Sequence, residues 1–284
     1  MSIITNWQFA VLAHLICAMV FNQAYKTATT TMKNPGALTA MLEGMAGLWC
    51  FLLIPLLDLE MPTNPAVYFF LFVACIFYAL NDRLTTDVRK GLDVSLVNII
   101  KQLSSVFMIA AGIFIFKEKA VFTKVAGALL IIVSNVIVFY KKGTRPNKYV
   151  WTGLIATVFG TIALLIDVNY SEQFNLFLYV GITLFAPAVL IIAAERITPS
   201  KIIAEYNSCN KSIIFATTIS WAIMTFSKLW AYQIGEIIVV TPLCSLIVIL
   251  NVALGYFFFG EKDNLLRKLL ASILIIISVV LISL

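Results

Sequence analysis

Charge is scarce in this chain: of 284 residues only 12% are Asp, Glu, Lys or Arg, and histidine occurs once. With 61% hydrophobic residues and a mean hydropathy of +0.98, a soluble domain would carry more apolar surface than it could hide. Cysteine is also sparse. Its five copies are an odd number, with Cys17, Cys50, Cys75 and Cys244 inside apolar runs and only Cys209 in a connecting stretch. No disulfide framework and no metal-ligand spacing follow from that pattern. HExxH, GxSxG and Walker A motifs are missing as well, so the sequence offers neither an activated nucleophile nor an ATP site. The expectation is a non-enzyme with no cofactor and no resident metal.

What the sequence has in excess is long apolar runs. Ten candidate spans lie at about 7–31, 35–57, 66–88, 92–116, 121–140, 149–170, 175–194, 212–234, 236–259 and 264–284. Breaks fall where turn residues and charges cluster, as at "KNPG" (33–36), "DLEMPTNP" (58–65), "KKGTRPNK" (141–148) and "ERITPSK" (195–201). The runs are continuously apolar rather than alternating, which predicts helices and not a membrane barrel. "MSIITN" has no positive n-region, so the first run is expected to be kept as a span rather than cleaved as a signal peptide. The net charge of +6 is scattered over short loops, and reads as topology and lipid-headgroup contact rather than nucleic-acid binding.

The chain also repeats itself. "AAGIFIFKEK" (110–119) returns 143 residues later as "ALGYFFFGEK" (253–262), with Ala, Gly, Phe, Phe, Glu and Lys at identical places. The same offset pairs Val97 with Val240, Leu103 with Leu246 and Val136 with Val279. The first copy closes span 4 and the second closes span 9, so an odd number of crossings separates them and they face opposite sides of the membrane. This predicts an all-α membrane protein of ten transmembrane helices in two inverted-topology five-helix repeats, 1–142 and 143–284, the architecture of a transporter.

Ten spans in two halves, with "FKEKAVFTKVAGALLIIVSNVIV" (116–138) and "FGEKDNLLRKLLASILIIISVVLI" (259–282) as the best-matching stretches, resemble the drug/metabolite transporter superfamily, specifically its EamA-type members. Thr241-Pro242-Leu243 matches a proline common in that family, where the first half has Asn98-Ile99. The resemblance implies a multi-pass protein of the cell (inner or plasma) membrane. Its substrate could be an amino acid, nucleotide sugar, choline-like cation or drug.

Polar residues inside spans are costly in hydrocarbon and are therefore the site candidates. Span 4 carries Ser95, Asn98, Lys101, Gln102 and Ser105 on one helical face, and the matched face of span 9 carries Thr241, Cys244 and Ser245. Span 8 aligns Trp221, Thr225, Lys228 and Tyr232, and span 3 aligns Tyr78, Asp82, Thr85 and Arg89. Glu43 lies in span 2. Substrate binding is thus expected at Lys101, Gln102, Asn98, Lys228, Trp221, Tyr78, Asp82, Glu43 and Tyr232, with Glu43 or Asp82 balancing the lysines. Lys26, Asp167 and Arg89 lie near span ends and read as side chains that snorkel to the interface. His14 reads as helix packing, and Glu118 and Glu261 as structural acids opening a helix.

The expected activity is alternating-access transport of a small organic metabolite, an amino acid or another amphoteric or anionic solute, facilitated or coupled to a proton or sodium ion. An organic-cation or drug exporter, whose aromatics cage the cation, and a flippase for a lipid-linked substrate are the alternatives. Expected partners are the solute and membrane lipid, with the protein a monomer or homodimer. The loop lysines and arginines follow odd-numbered spans except for Lys117, Lys119 and Lys124, so the positive-inside rule places both termini outside. The family resemblance implies termini inside, and the charge bias is preferred here because the loops are short. In either orientation, single cysteines at Lys119 and Lys262 should label from opposite sides of the membrane. Labelling of both from one side only would break the ten-span reading.

Overall fold

Asparagine starts the helices. Asn34, Asn64, Asn147, Asn175 and Asn210 each turn a side-chain oxygen onto a backbone N–H of the first turn that follows, at 2.9–3.3 Å, meeting donors that the helix itself leaves unsatisfied. At two of these sites proline comes next, Pro35 and Pro65, with its φ already set for the first helical position. The computed structural model describes residues 7–52, 54, 61–104, 106–107, 110, 121–139, 147–235, 240, 243–260 and 264–283. Among them the helices are α1 (Trp7–Thr30), α2 (Pro35–Phe51), α3 (Pro65–Gly91), α4 (Val94–Lys101), α5 (Phe122–Phe139), α6 (Lys148–Tyr170), α7 (Leu176–Ala194), α8 (Pro199–Ser208), α9 (Lys211–Ile234), α10 (Ile247–Phe259) and α11 (Leu265–Ser283). There is no strand among the described residues.

Six helical stretches, Trp7–Thr30, Pro65–Gly91, Lys148–Gln173, Leu176–Ala194, Lys211–Ile234 and Leu265–Ile282, are long and apolar enough to cross a bilayer. Their outer faces are apolar too. Phe9, Leu12, Ile16 and Val20 run along one side of α1, and Phe69, Phe72, Ile76 and Leu80 along one side of α3, all exposed. Such stripes suit lipid, and the chain fits an all-α membrane protein.

Two elements differ from the sequence expectation. The helix expected over 92–116 is interrupted after Lys101, where the Gln102 N–H closes a tight turn onto the Ile99 carbonyl at 3.2 Å. A similar turn brings the Leu246 N–H to the Leu243 carbonyl at 3.2 Å, just before α10. Helix α8 falls in a stretch read only as a break, because it is too polar to register as a span. Glu205, its one buried residue, accepts from the backbone N–H groups of Lys33 (2.9 Å) and Asn34. The first repeated motif beyond Ala110, the boundary at 142–143, and Ser105, Glu118, Lys119, Thr241, Pro242, Glu261 and Lys262 lie outside the described residues.

The dominant helix pairs are α1 with α9, α3 with α6, α2 with α7 and α5 with α11, followed by α3 with α7, α2 with α9 and α4 with α10. Two of these depend on glycine. A Cβ on Gly47 would sit 2.8 Å from the backbone nitrogen of Phe185 in α7, and one on Gly127 would sit 2.6 Å from the Ser278 carbonyl in α11. Lipid tails give helices no hydrophobic reason to associate, so backbone approach at small residues supplies the packing. Gly47→Ala and Gly127→Ala should each destabilise by about 1–3 kcal/mol, visible as a lower melting temperature in detergent. Unchanged melting in both would mean that these backbones do not need the close approach.

Candidate functional site

The interior of this bundle is charged. Glu43 on α2 is 0% exposed, and neither carboxyl oxygen accepts from an N–H or O–H of the described residues. Its neighbour is the carboxyl of Asp82 on α3. Asp82 also accepts from Asn81 Nδ2 at 2.7 Å, and Lys101 and Arg89 supply the positive field around it. Lys101, at the end of α4, lies in turn within electrostatic range of Lys228 on α9. Lys228 acts on Asp167 of α6, and its ammonium lies 5.8 Å from the Tyr232 ring centroid. A continuous run of charge therefore crosses the bundle from α2 to α6 through α3, α4 and α9.

Each expected site residue has a place in or beside this run. Asn98 accepts from Asn22 Nδ2 at 3.4 Å and returns its own amide to the Val94 carbonyl at 2.8 Å. Gln102 Oε1 accepts from Ser245 Oγ at 3.3 Å. Tyr78 donates to Asp167 Oδ2. Trp221 is buried in an aromatic group, its ring centroid 4.9 Å from Phe21 and 5.5 Å from Tyr25. Glu43 does not meet a lysine, because Asp82 stands between it and Lys101. Tyr232 touches the network only through Lys228.

Two residues read as interfacial are buried instead, and a third, Lys26, is half-buried. Arg89 is 1% exposed: its Nη2 donates to Asn22 Oδ1 at 2.8 Å, and its guanidinium lies 5.0 Å from the centroids of both Phe21 and Tyr25. The faces of two aromatics and an amide replace the water it gives up. Asp167 is also 1% exposed, held between the hydroxyls of Tyr78 and Tyr179, the latter at 2.7 Å. Lys26 turns inward to cap α3, donating to the carbonyls of Arg89 (2.5 Å) and Leu92 (2.8 Å). The signal for Arg89 was present in the sequence, since Asp82, Thr85 and Arg89 share one helical face. None existed for Asp167, whose partners are remote. His14 Nδ1 lies 2.9 Å from the Met224 carbonyl and so joins α1 to α9.

Polar contacts also tie helix ends together where α1, α3 and α7 finish. Arg83 meets Glu195 at 2.5 Å and Asp87 at 2.8 Å, and Lys268 of α11 meets Asp93, which begins α4, at 2.7 Å. Among the described residues no group of three His, Cys, Asp or Glu gathers as a metal site.

No protein-family model matches the chain, and no curated protein matches it. A solved structure described as "Crystal structure of protein" is similar over 96% of this chain and 97% of its own, with a TM-score of 0.62 at 15% identity. That likeness is one of fold alone.

The Tyr78–Asp167–Tyr179 arrangement is open to a direct test. Tyr78→Phe and Tyr179→Phe should each cost about 1–3 kcal/mol, and the double variant more, because the buried carboxyl loses its donors. A double variant that melts with the wild type would show that Asp167 does not depend on the two hydroxyls.

Proposed function

We propose that this chain is a secondary transporter of the cell membrane that moves a small amphoteric or anionic organic metabolite by alternating access, an amino acid being the leading candidate. The observation that carries the reading is the network of Glu43, Asp82, Arg89, Lys101, Asp167 and Lys228 from five helices, of which Glu43, Arg89 and Asp167 are buried and Asp82, Lys101 and Lys228 half-buried. Ionisable groups at such depth are expensive, and they mark solute and ion pathways in membrane proteins.

In this reading the chain crosses ten times as two inverted five-helix halves. Exchanging α1 with α6, α2 with α7, α3 with α9, α4 with α10 and α5 with α11 maps the dominant helix pairs onto themselves. The pair α1–α9 becomes α6–α3, α3–α7 becomes α9–α2, and α2–α7, α4–α10 and α5–α11 are their own images. The Ser245–Gln102 hydrogen bond joins residues 143 apart, the repeat offset itself, as expected of a contact on the pseudo-two-fold axis. Helices interrupted beside Lys101 and before α10 are also the kind that line transport sites.

The Glu43–Asp82 pair offers a coupling proton a place to sit, with sodium the other candidate ion. The same pair favours a second reading, an organic-cation exporter in which an ammonium takes the place of that proton.

Purified protein in proteoliposomes should take up at least one organic solute from a mixed metabolite pool above protein-free vesicles. Lys101→Gln should lower that uptake by about tenfold or more while leaving expression and melting temperature nearly unchanged. If Lys101→Gln instead unfolds the protein, and a second change at Glu43 or Asp82 restores it, the lysine is half of a structural pair. Absence of any solute uptake would overturn the transporter reading.

A further inference from the structure

Two buried donors on one face of α3 have no acceptor. Thr85 is 4% exposed and Arg89 1%, and neither Thr85 Oγ1 nor Arg89 Nε finds a hydrogen-bond partner among the described residues. For the threonine this is unusual. Thr86, Thr157, Thr161 and Thr217, also buried in helices, each return the hydroxyl to the carbonyl four residues back at 2.7–3.0 Å. An unbonded hydroxyl in this setting costs stability without return unless something else uses it.

Arg89 is held from the side of α1 by Asn22, Phe21 and Tyr25, and no carboxylate pairs with it among the described residues. Asp82, the acid that acts on it, is already engaged by Asn81 and Glu43. Positions i and i+4 lie one above the other on a helix, and long side chains lean toward the N-terminus, so Arg89 reaches toward the level of Thr85.

The geometry points to an oxyanion clasp: Thr85 Oγ1 and Arg89 Nε bind the carboxylate of the transported solute. The assignment rests on the transporter reading. Two donors suit the two oxygens of a carboxylate. In the second half the positions 143 residues on are Lys228 and Tyr232, so α9 presents a cation at the register where α3 presents the hydroxyl.

The test uses full-length protein in detergent, with melting temperature read against the twenty amino acids, their matched amines, simple monocarboxylates and phosphate monoesters. At least one carboxylate should raise the melting temperature, and its matched amine should not. Thr85→Val should weaken that carboxylate about tenfold while leaving the ligand-free melting temperature equal or higher, because the hydroxyl it removes bonds to nothing. Thr85→Ser should restore binding. Arg89→Lys, which keeps the charge but loses the Nε donor, should weaken it further. Stabilisation only by ligands lacking a carboxylate, a phosphate ester included, would overturn the clasp, as would unaltered carboxylate affinity in both Thr85→Val and Arg89→Lys. Solute uptake by wild-type proteoliposomes, measured alongside, separates the two failures: uptake without carboxylate binding sinks the clasp alone, and no uptake sinks the transporter reading with it.

Discussion

A charge inside a bilayer is met by protein or it is not met at all, and the buried guanidinium of Arg89 shows how much structure that constraint commands. One helix supplies almost everything it touches. From α1 come the rings of Phe21 and Tyr25, the amide of Asn22 and, a turn further on, the ammonium of Lys26 that closes the carbonyl end of α3. Trp221 on α9 then packs behind the same two rings. The positions of α1, α3 and α9 are therefore conditions for keeping one cation out of water. An isolated buried charge is destabilising in proportion to its desolvation, so weakening any of these contacts should be felt at the others.

The remaining ionisable groups are handled by different means. Asp167 is kept by two phenol hydroxyls, and Glu43 by contact with a second carboxyl. Neither solution uses a salt bridge. Ion pairs appear instead at Arg83 with Glu195, which are partly exposed, and at Lys268 with Asp93, where the lysine is 2% exposed and the aspartate keeps contact with solvent. These two pairs fasten α3 to the end of α7 and α11 to the start of α4.

Much of the helical layout was legible because it depends on local chemistry. Apolar run length, and asparagine or proline at the breaks, mark the starts of α2, α3, α6, α7 and α9 within a residue or two. The interruption after Lys101 was not legible, since Gln102 is an ordinary helix residue and nothing nearby breaks a helix by composition. Helix α8 was missed for the opposite reason, being polar where the reading followed hydrophobicity. At the site, face periodicity brought out Asp82, Lys101 and Lys228 but gave the wrong depth for Arg89 and Asp167. Distance from a span end was the guide there, and depth is decided by long-range partners: Phe21 and Asn22 lie 67–68 positions from Arg89, and Tyr78 lies 89 from Asp167.

The ion pairs at the helix ends carry a thermodynamic meaning within the proposed repeat. Two identical inverted halves would make the inward-open and outward-open forms equal in free energy, with an equilibrium constant of one. Departures from symmetry set the bias. Arg83 and Glu195 correspond to Phe226 and Leu52 in the opposite half, and Lys268 corresponds to Val125, so neither pair has an image. In the proposed cycle each pair would weight one of the two forms, and solute or membrane potential would have to outweigh it.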